Sequence, residues 1–230
     1  MPLPEREWLS HHEYPDSMLY DELPIPVSER KSRLLAAAFC RRVWHLLTDE
    51  RGRQAVAVAE RYADGQATPA ELRSACAAAE EITDFDGDTV TWCEVAGTAF
   101  VTAEPSPSPL DAAYIAAENV GWRAARAADE DSDEPDAAAK ATERAAQCEL
   151  VREVLGNPFR PAAFDPGWRT TTVVLLAREM YESRDFSAMP ILADALQDAG
   201  CEDEQLLGHC RRPGPHVRGC WALDLVLGKG

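Results

Sequence analysis

The sequence predicts an all-α fold, either one helical domain or two helical lobes built as a stack of helical hairpins. Three observations predict it. Apolar residues recur at helical spacing through most of the chain. Helix start and stop residues punctuate it at close intervals. Alanine-rich stretches replace the β-branched runs that strands favour, except over 89–102.

The elements follow in order. Residues 1–27 hold five prolines and no sustained period, so they read as an irregular arm with one short helix near Glu5–Ser10. Ser28 can cap a helix over about 29–48, with Leu34, Leu35, Ala38, Phe39, Val43, Leu46 and Leu47 near one face. Asp49 can cap a second helix that runs through Ala63 and stops at Gly65. Thr68-Pro69-Ala70-Glu71 combines a cap, a proline at the first helical position and a capping-box glutamate, and predicts a helix over about 69–82. Asp84-Phe-Asp-Gly-Asp88 is a turn cluster. The stretch that follows could form a short β-hairpin over 89–102, but helix is favoured because a lone hairpin is marginal.

Pro105-Ser-Pro-Ser-Pro109 breaks the chain, and Ser108 caps a long helix over about 109–128. Asp129–Asp136 carries six carboxylates in eight residues and reads as a solvated acidic loop. A further helix over about 135–155 ends at Gly156. A connector with Phe159, Phe164 and Trp168 leads to four short helices, at 170–183, 188–199, 203–211 and 217–227. The expected organisation is an arm (1–27), an N-terminal lobe (28–128), the acidic loop (129–136) and a C-terminal lobe (137–230) packing on the first long helix.

Bulk properties narrow the function. The net charge of -17 disfavours general binding to a nucleic-acid backbone. No run approaches a membrane span, and the opening Met1–Trp8 lacks the basic and apolar regions of a secretory signal, so the expected location is the cytoplasm. Seven cysteines without framework spacing suit reduced, mostly buried thiols.

Chemistry is crowded only near the C-terminus. Residues 201–221 hold Cys201, His209, Cys210, Arg211, Arg212, His216, Arg218 and Cys220. Zinc is one candidate, with Cys201, Cys210, His216 and Cys220 as the ligands and Cys40 and His45 available from the first long helix. The favoured reading has no cofactor: the cysteines pack in the core and the histidines bond to loop carbonyls. The close paired knuckle of a structural zinc site is absent. His209 and Cys210 are adjacent, so a helix points them about 100° apart and they cannot easily share one ion. Arg211, Arg212, His216 and Arg218 form a second candidate, an anion site at a turn feeding a helix start. The competing reading pairs these arginines with the chain's own carboxylates, such as Asp194 or Asp224. A nucleophilic cysteine at 210 or 220 lacks an oxyanion turn, and Asp84, Asp86 and Asp88 do not match a calcium loop.

Arg33-Leu-Leu-Ala-Ala-Ala-Phe-Cys-Arg-Arg-Val-Trp-His-Leu-Leu47, Gly156-Asn-Pro-Phe-Arg-Pro161 and His209-Cys-Arg through His216-Val-Arg-Gly-Cys-Trp221 carry a resemblance. The chain resembles a large paralogous family of uncharacterised bacterial proteins with no assigned activity. Family members often have two cysteines where Phe39-Cys40 stands here, so a metal role needing both is not implied for this chain. The expectation is a non-enzymatic interaction or scaffold module with a protein partner. The alternative is a metal- or anion-binding sensor or enzyme using 201–221.

Overall fold

In the computed structural model the described residues are 4–20, 23–24, 26–83, 103, 107–129, 131–132 and 134–229. Among them the protein is all helical, with eleven α-helices and no strand. The proposed hairpin over 89–102 lies outside the described residues. The chain divides into two compact units, Met1–Val151 and Arg152–Gly230. The division falls inside a helix rather than at the acidic loop, which therefore lies within the first unit. No described helix is long and apolar enough to cross a membrane.

The first unit contains α1 (Glu5–Ser10), α2 (Pro15–Tyr20), α3 (Glu29–Arg42), α4 (Glu50–Ala63), α5 (Pro69–Thr83), α6 (Pro109–Ala128) and most of α7 (Ala137–Leu155). Ser28, Asp49 and Ser108 accept backbone N–H bonds as the sequence predicts. Glu71 closes the capping box by accepting from the Thr68 N–H at 2.8 Å. Helices α3, α4 and α6 share one apolar cluster around Ala37, Cys40, Val43, Leu47, Val56 and Ala116. Helices α4 and α5 share a second around Ala55, Val58, Ala59, Leu72 and Ala79.

Two expectations are refined in this unit. Beside the expected Glu5–Ser10 helix the arm holds a second one: α2 forms where Pro15 starts a helix without losing a needed N–H, and both Trp8 and Met18 are buried. The first long helix stops at Arg42 instead of reaching 48. Arg41 and Arg42 each clamp a carboxylate, Glu60 and Glu143 respectively, through two hydrogen bonds. The chain then turns through Trp44, whose ring lies 4.0 Å below the Arg41 guanidinium, to reach the Asp49 cap.

The second unit begins with the last turn of α7, followed by a connector and a 3-10 turn at Pro166–Trp168. It continues with α8 (Thr171–Ser183), α9 (Met189–Asp198), α10 (Glu204–Arg211) and α11 (Trp221–Leu227). Its core joins Val173, Ala177 and Met180 of α8 to Leu192 and Leu196 of α9, Leu206 and Cys210 of α10, and Leu223 and Val226 of α11. Phe164 and Trp168 meet edge to face at 5.4 Å and pack against it. Arg169 donates to the Leu225 and Val226 carbonyls at 2.8 and 3.0 Å, satisfying groups that the end of α11 leaves without helical partners. The last helix starts at Trp221 rather than Val217, because Gly219 takes φ +90° and turns the chain just before it.

Candidate metal centre

Four side chains of the second unit converge: Glu153, His209, His216 and Cys220. One donor atom from each lies within 4.8 Å of all the others. Each comes from a different segment. Glu153 is in the last turn of α7, His209 in α10, His216 in the turn after α10, and Cys220 at the residue preceding α11.

Local sequence fixes these positions. Asp203 caps α10 by accepting the Leu206 N–H at 2.8 Å. The apolar face of α10 then carries Leu206, Leu207 and Cys210 into the core, while the neighbouring His209 faces Glu153 and Cys220. Pro213-Gly214-Pro215 prevents α10 from continuing and returns the chain so that His216 approaches Glu153. Gly156 ends α7 with φ +71°. A Cβ there would lie 3.1 Å from the Trp221 ring, so glycine is what lets the indole lie over the helix end.

The geometry is close. His209 Nε2 lies 3.2 Å from Cys220 Sγ and 3.5 Å from Glu153 Oε2. His216 Nδ1 lies 3.0 Å from Glu153 Oε1. For bonds of about 2.0–2.3 Å the edges of a tetrahedral zinc shell are roughly 3.3–3.8 Å. These three separations lie near that range, but the set extends to 4.8 Å, so an ion would draw the donors inward. The Glu153 side chain is 0% exposed and both imidazoles are 6% exposed. Cys220 is also fully buried.

The electrostatics are those of a buried charge held by its neighbours. Burial pushes the Glu153 carboxyl upward, but chiefly the hydrogen bonds from His209 and His216 overcome it and hold the group at about 2. Burial, and next the Glu153 carboxylate, push the Cys220 thiol well above its ordinary value. Glu153 Oε2 is buried and makes no hydrogen bond of ordinary length. His209 Nε2 at 3.5 Å and the Arg212 guanidinium at 3.6 Å are its polar neighbours. Both contacts are long, so a cation among the four donors would satisfy this oxygen more fully.

The placement of the sequence candidates is mixed. His216 and Cys220 belong to the cluster. Cys201 and Cys210, the other two metal candidates, lie in the apolar core of the unit and are not among its donors. Burial pushes the Cys210 thiol up to about 12, where it stays protonated. The adjacent His209 takes the position facing Cys220, as a turn of about 100° per residue allows only one of the pair to do. Glu153 is the donor that sequence reasoning missed. Its signal was a carboxylate in the final turn of a helix, where the dipole disfavours it, beside the buried Leu150, Val151 and Val154.

The anion candidates are committed to protein groups. Arg211 donates to Gln197 Oε1 at 2.6 Å and pairs with Asp194 at 3.4 Å. Arg212 pairs with Glu153, and the Arg218 guanidinium lies 5.0 Å from the centroid of the Tyr181 ring. His216 faces Glu153. The arrangement also disfavours nucleophilic catalysis, since a fully buried Cys220 with a raised thiol pKa has neither thiolate character nor access. A separate cleft of about 360 Å³ in the first unit is lined by Tyr14, Asp16, Asp111, Tyr114, Arg144 and Gln147. The Gln147 amide nitrogen is engaged by Ala113 O at 2.9 Å, and the Arg144 guanidinium lies 5.1 Å from the centre of the Tyr14 ring.

No family model matches the chain, and no curated protein or solved structure matches it significantly.

Proposed function

We propose that the second unit is a zinc-binding helical module in which Glu153, His209, His216 and Cys220 hold one ion. The observation that carries this reading is the convergence of four unlike donors around a buried carboxylate oxygen that makes no hydrogen bond of ordinary length. The donor set selects the metal. A thiolate and two imidazoles suit zinc, whereas calcium and magnesium take oxygen donors. One carboxylate and one thiolate cancel the charge of a divalent ion, so the loaded centre is neutral, as a buried site requires.

Four protein donors complete a tetrahedral shell and leave no position for a substrate, which favours a structural role over a catalytic one. The ion would fasten the end of α7, α10, the turn after it and the start of α11 to one point. Such a role keeps the non-enzymatic scaffold reading and supplies it with a physical basis. Binding requires Cys220 to surrender its proton, so affinity rises with pH and the loaded protein is more stable than the stripped one.

The experiment is metal analysis of the untagged full chain, followed by cobalt substitution. One equivalent of zinc, replaceable by cobalt with the absorption of a tetrahedral thiolate complex, is the expected result. Cys220→Ser and His209→Ala each remove the thiolate band or weaken binding by orders of magnitude. Cys201→Ala leaves stoichiometry unchanged. A chain that takes up neither metal when folded and reduced would overturn the proposal.

A further inference from the structure

The two histidines of the centre differ in what stands behind each ring. His216 Nε2 faces the Arg212 carbonyl oxygen at 3.2 Å. Its Nδ1 faces Glu153 Oε1 at 3.0 Å. A carbonyl and a carboxylate both accept only, so both nitrogens of this ring donate, and Nδ1 must give up its proton to ligate. His209 has a donor behind it instead. The Trp221 indole donates its Nε1–H to His209 Nδ1 at 3.2 Å, with ring centroids 4.8 Å apart. An indole donates only, so Nδ1 carries the lone pair and the neutral ring keeps its proton on Nε2. That is the nitrogen facing Cys220 Sγ and Glu153 Oε2.

We propose that Trp221 is a positioning residue that sets the metal affinity of this centre by holding His209 in the tautomer that cannot ligate. The proposal rests on the zinc reading above. When the ion binds, the Nε2 proton leaves to solvent and Nδ1 takes one up, so the His209 ring stays neutral. The new Nδ1–H would then confront the indole N–H, two donors with no acceptor between them, and the indole turns away. Loading the site therefore releases Trp221, the first residue of α11, from its hydrogen bond. Gly156 belongs to the same device, because a Cβ there would press on the ring at 3.1 Å and shift it by a few tenths of an ångström. Metal occupancy is thus coupled to the start of α11 through one indole.

The test compares cobalt affinity of the full chain with that of Trp221→Phe, which keeps an apolar aromatic ring and removes the N–H donor with part of the indole's packing area. Phenylalanine is expected to tighten binding about five- to tenfold, the factor corresponding to one ordinary hydrogen bond. A residue that merely packs would leave affinity unchanged or weaken it, and either outcome overturns the proposal. A second measurement needs no variant. Long-range nitrogen NMR of the metal-stripped wild type should find the His209 proton on Nε2, moving to Nδ1 when zinc is added. A proton already on Nδ1 in the stripped protein overturns the coupling while leaving the zinc reading intact. If neither protein binds cobalt or zinc, both proposals fail.

Discussion

Acid should weaken the second unit through one group, and Glu153→Gln should reveal it. The folded Glu153 carboxyl titrates at about 2, against its ordinary 4.5. A depressed folded value gives stability that is fully present above the unfolded value and is lost as pH falls through the folded one. The window is therefore from about 4.5 down to about 2. At 1.36 kcal/mol per unit, the shift corresponds to about 3 kcal/mol, carried by a carboxylate with no exposed surface. Glutamine keeps the shape and cannot titrate. With chelator present to remove metal effects, urea-dependent hydrogen exchange of α10 and α11 peptides should show the wild type losing about 3 kcal/mol more than the variant across that window. At neutral pH the variant should be the weaker of the two. A difference between the proteins that stays constant with pH would refute the reasoning.

Three further outcomes follow from the same structure. Gly156→Ala places a Cβ 3.1 Å from the Trp221 ring at a residue whose φ is +71°, and should lower stability by about 2 kcal/mol in thermal unfolding. A change below about 0.5 kcal/mol would mean the indole moves freely aside. Burial pushes the Cys40 and Cys210 thiols from 9.0 to about 12. Folded values raised in this way keep stability intact below about 9 and erode it as pH climbs toward 12, which alkaline unfolding curves will report. The same burial means both thiols should react with a thiol reagent at pH 8 only at the rate of unfolding, in contrast to a free cysteine.

Most of the helical framework was legible because caps are local. Ser28, Asp49, Ser108 and the Thr68–Glu71 box each act within three residues, and the structure satisfies them where the sequence implies. The errors arose where distant partners decide. Nothing near Arg42 says that Glu143 will hold its side chain and that α3 will end there. Residues 201–221 announced a site, but its composition depended on the path of α7. Glu153 precedes His209 by 56 residues, so no ligand-spacing pattern connects them. The choice between His209 and Cys210 was half legible: adjacency excluded using both, and only the packing of α10 decided which one turned to the core.

The proposed zinc centre is tested most directly by X-ray absorption at the zinc edge of the loaded full chain. The expected result is four-coordinate zinc with one sulfur at about 2.3 Å and three nitrogen or oxygen atoms at about 2.0–2.1 Å. Cys220→Ser should remove the sulfur contribution. Two or more sulfurs would bring Cys201 or Cys210 into the shell and contradict the account, as would a shell of oxygen and nitrogen alone in the wild type.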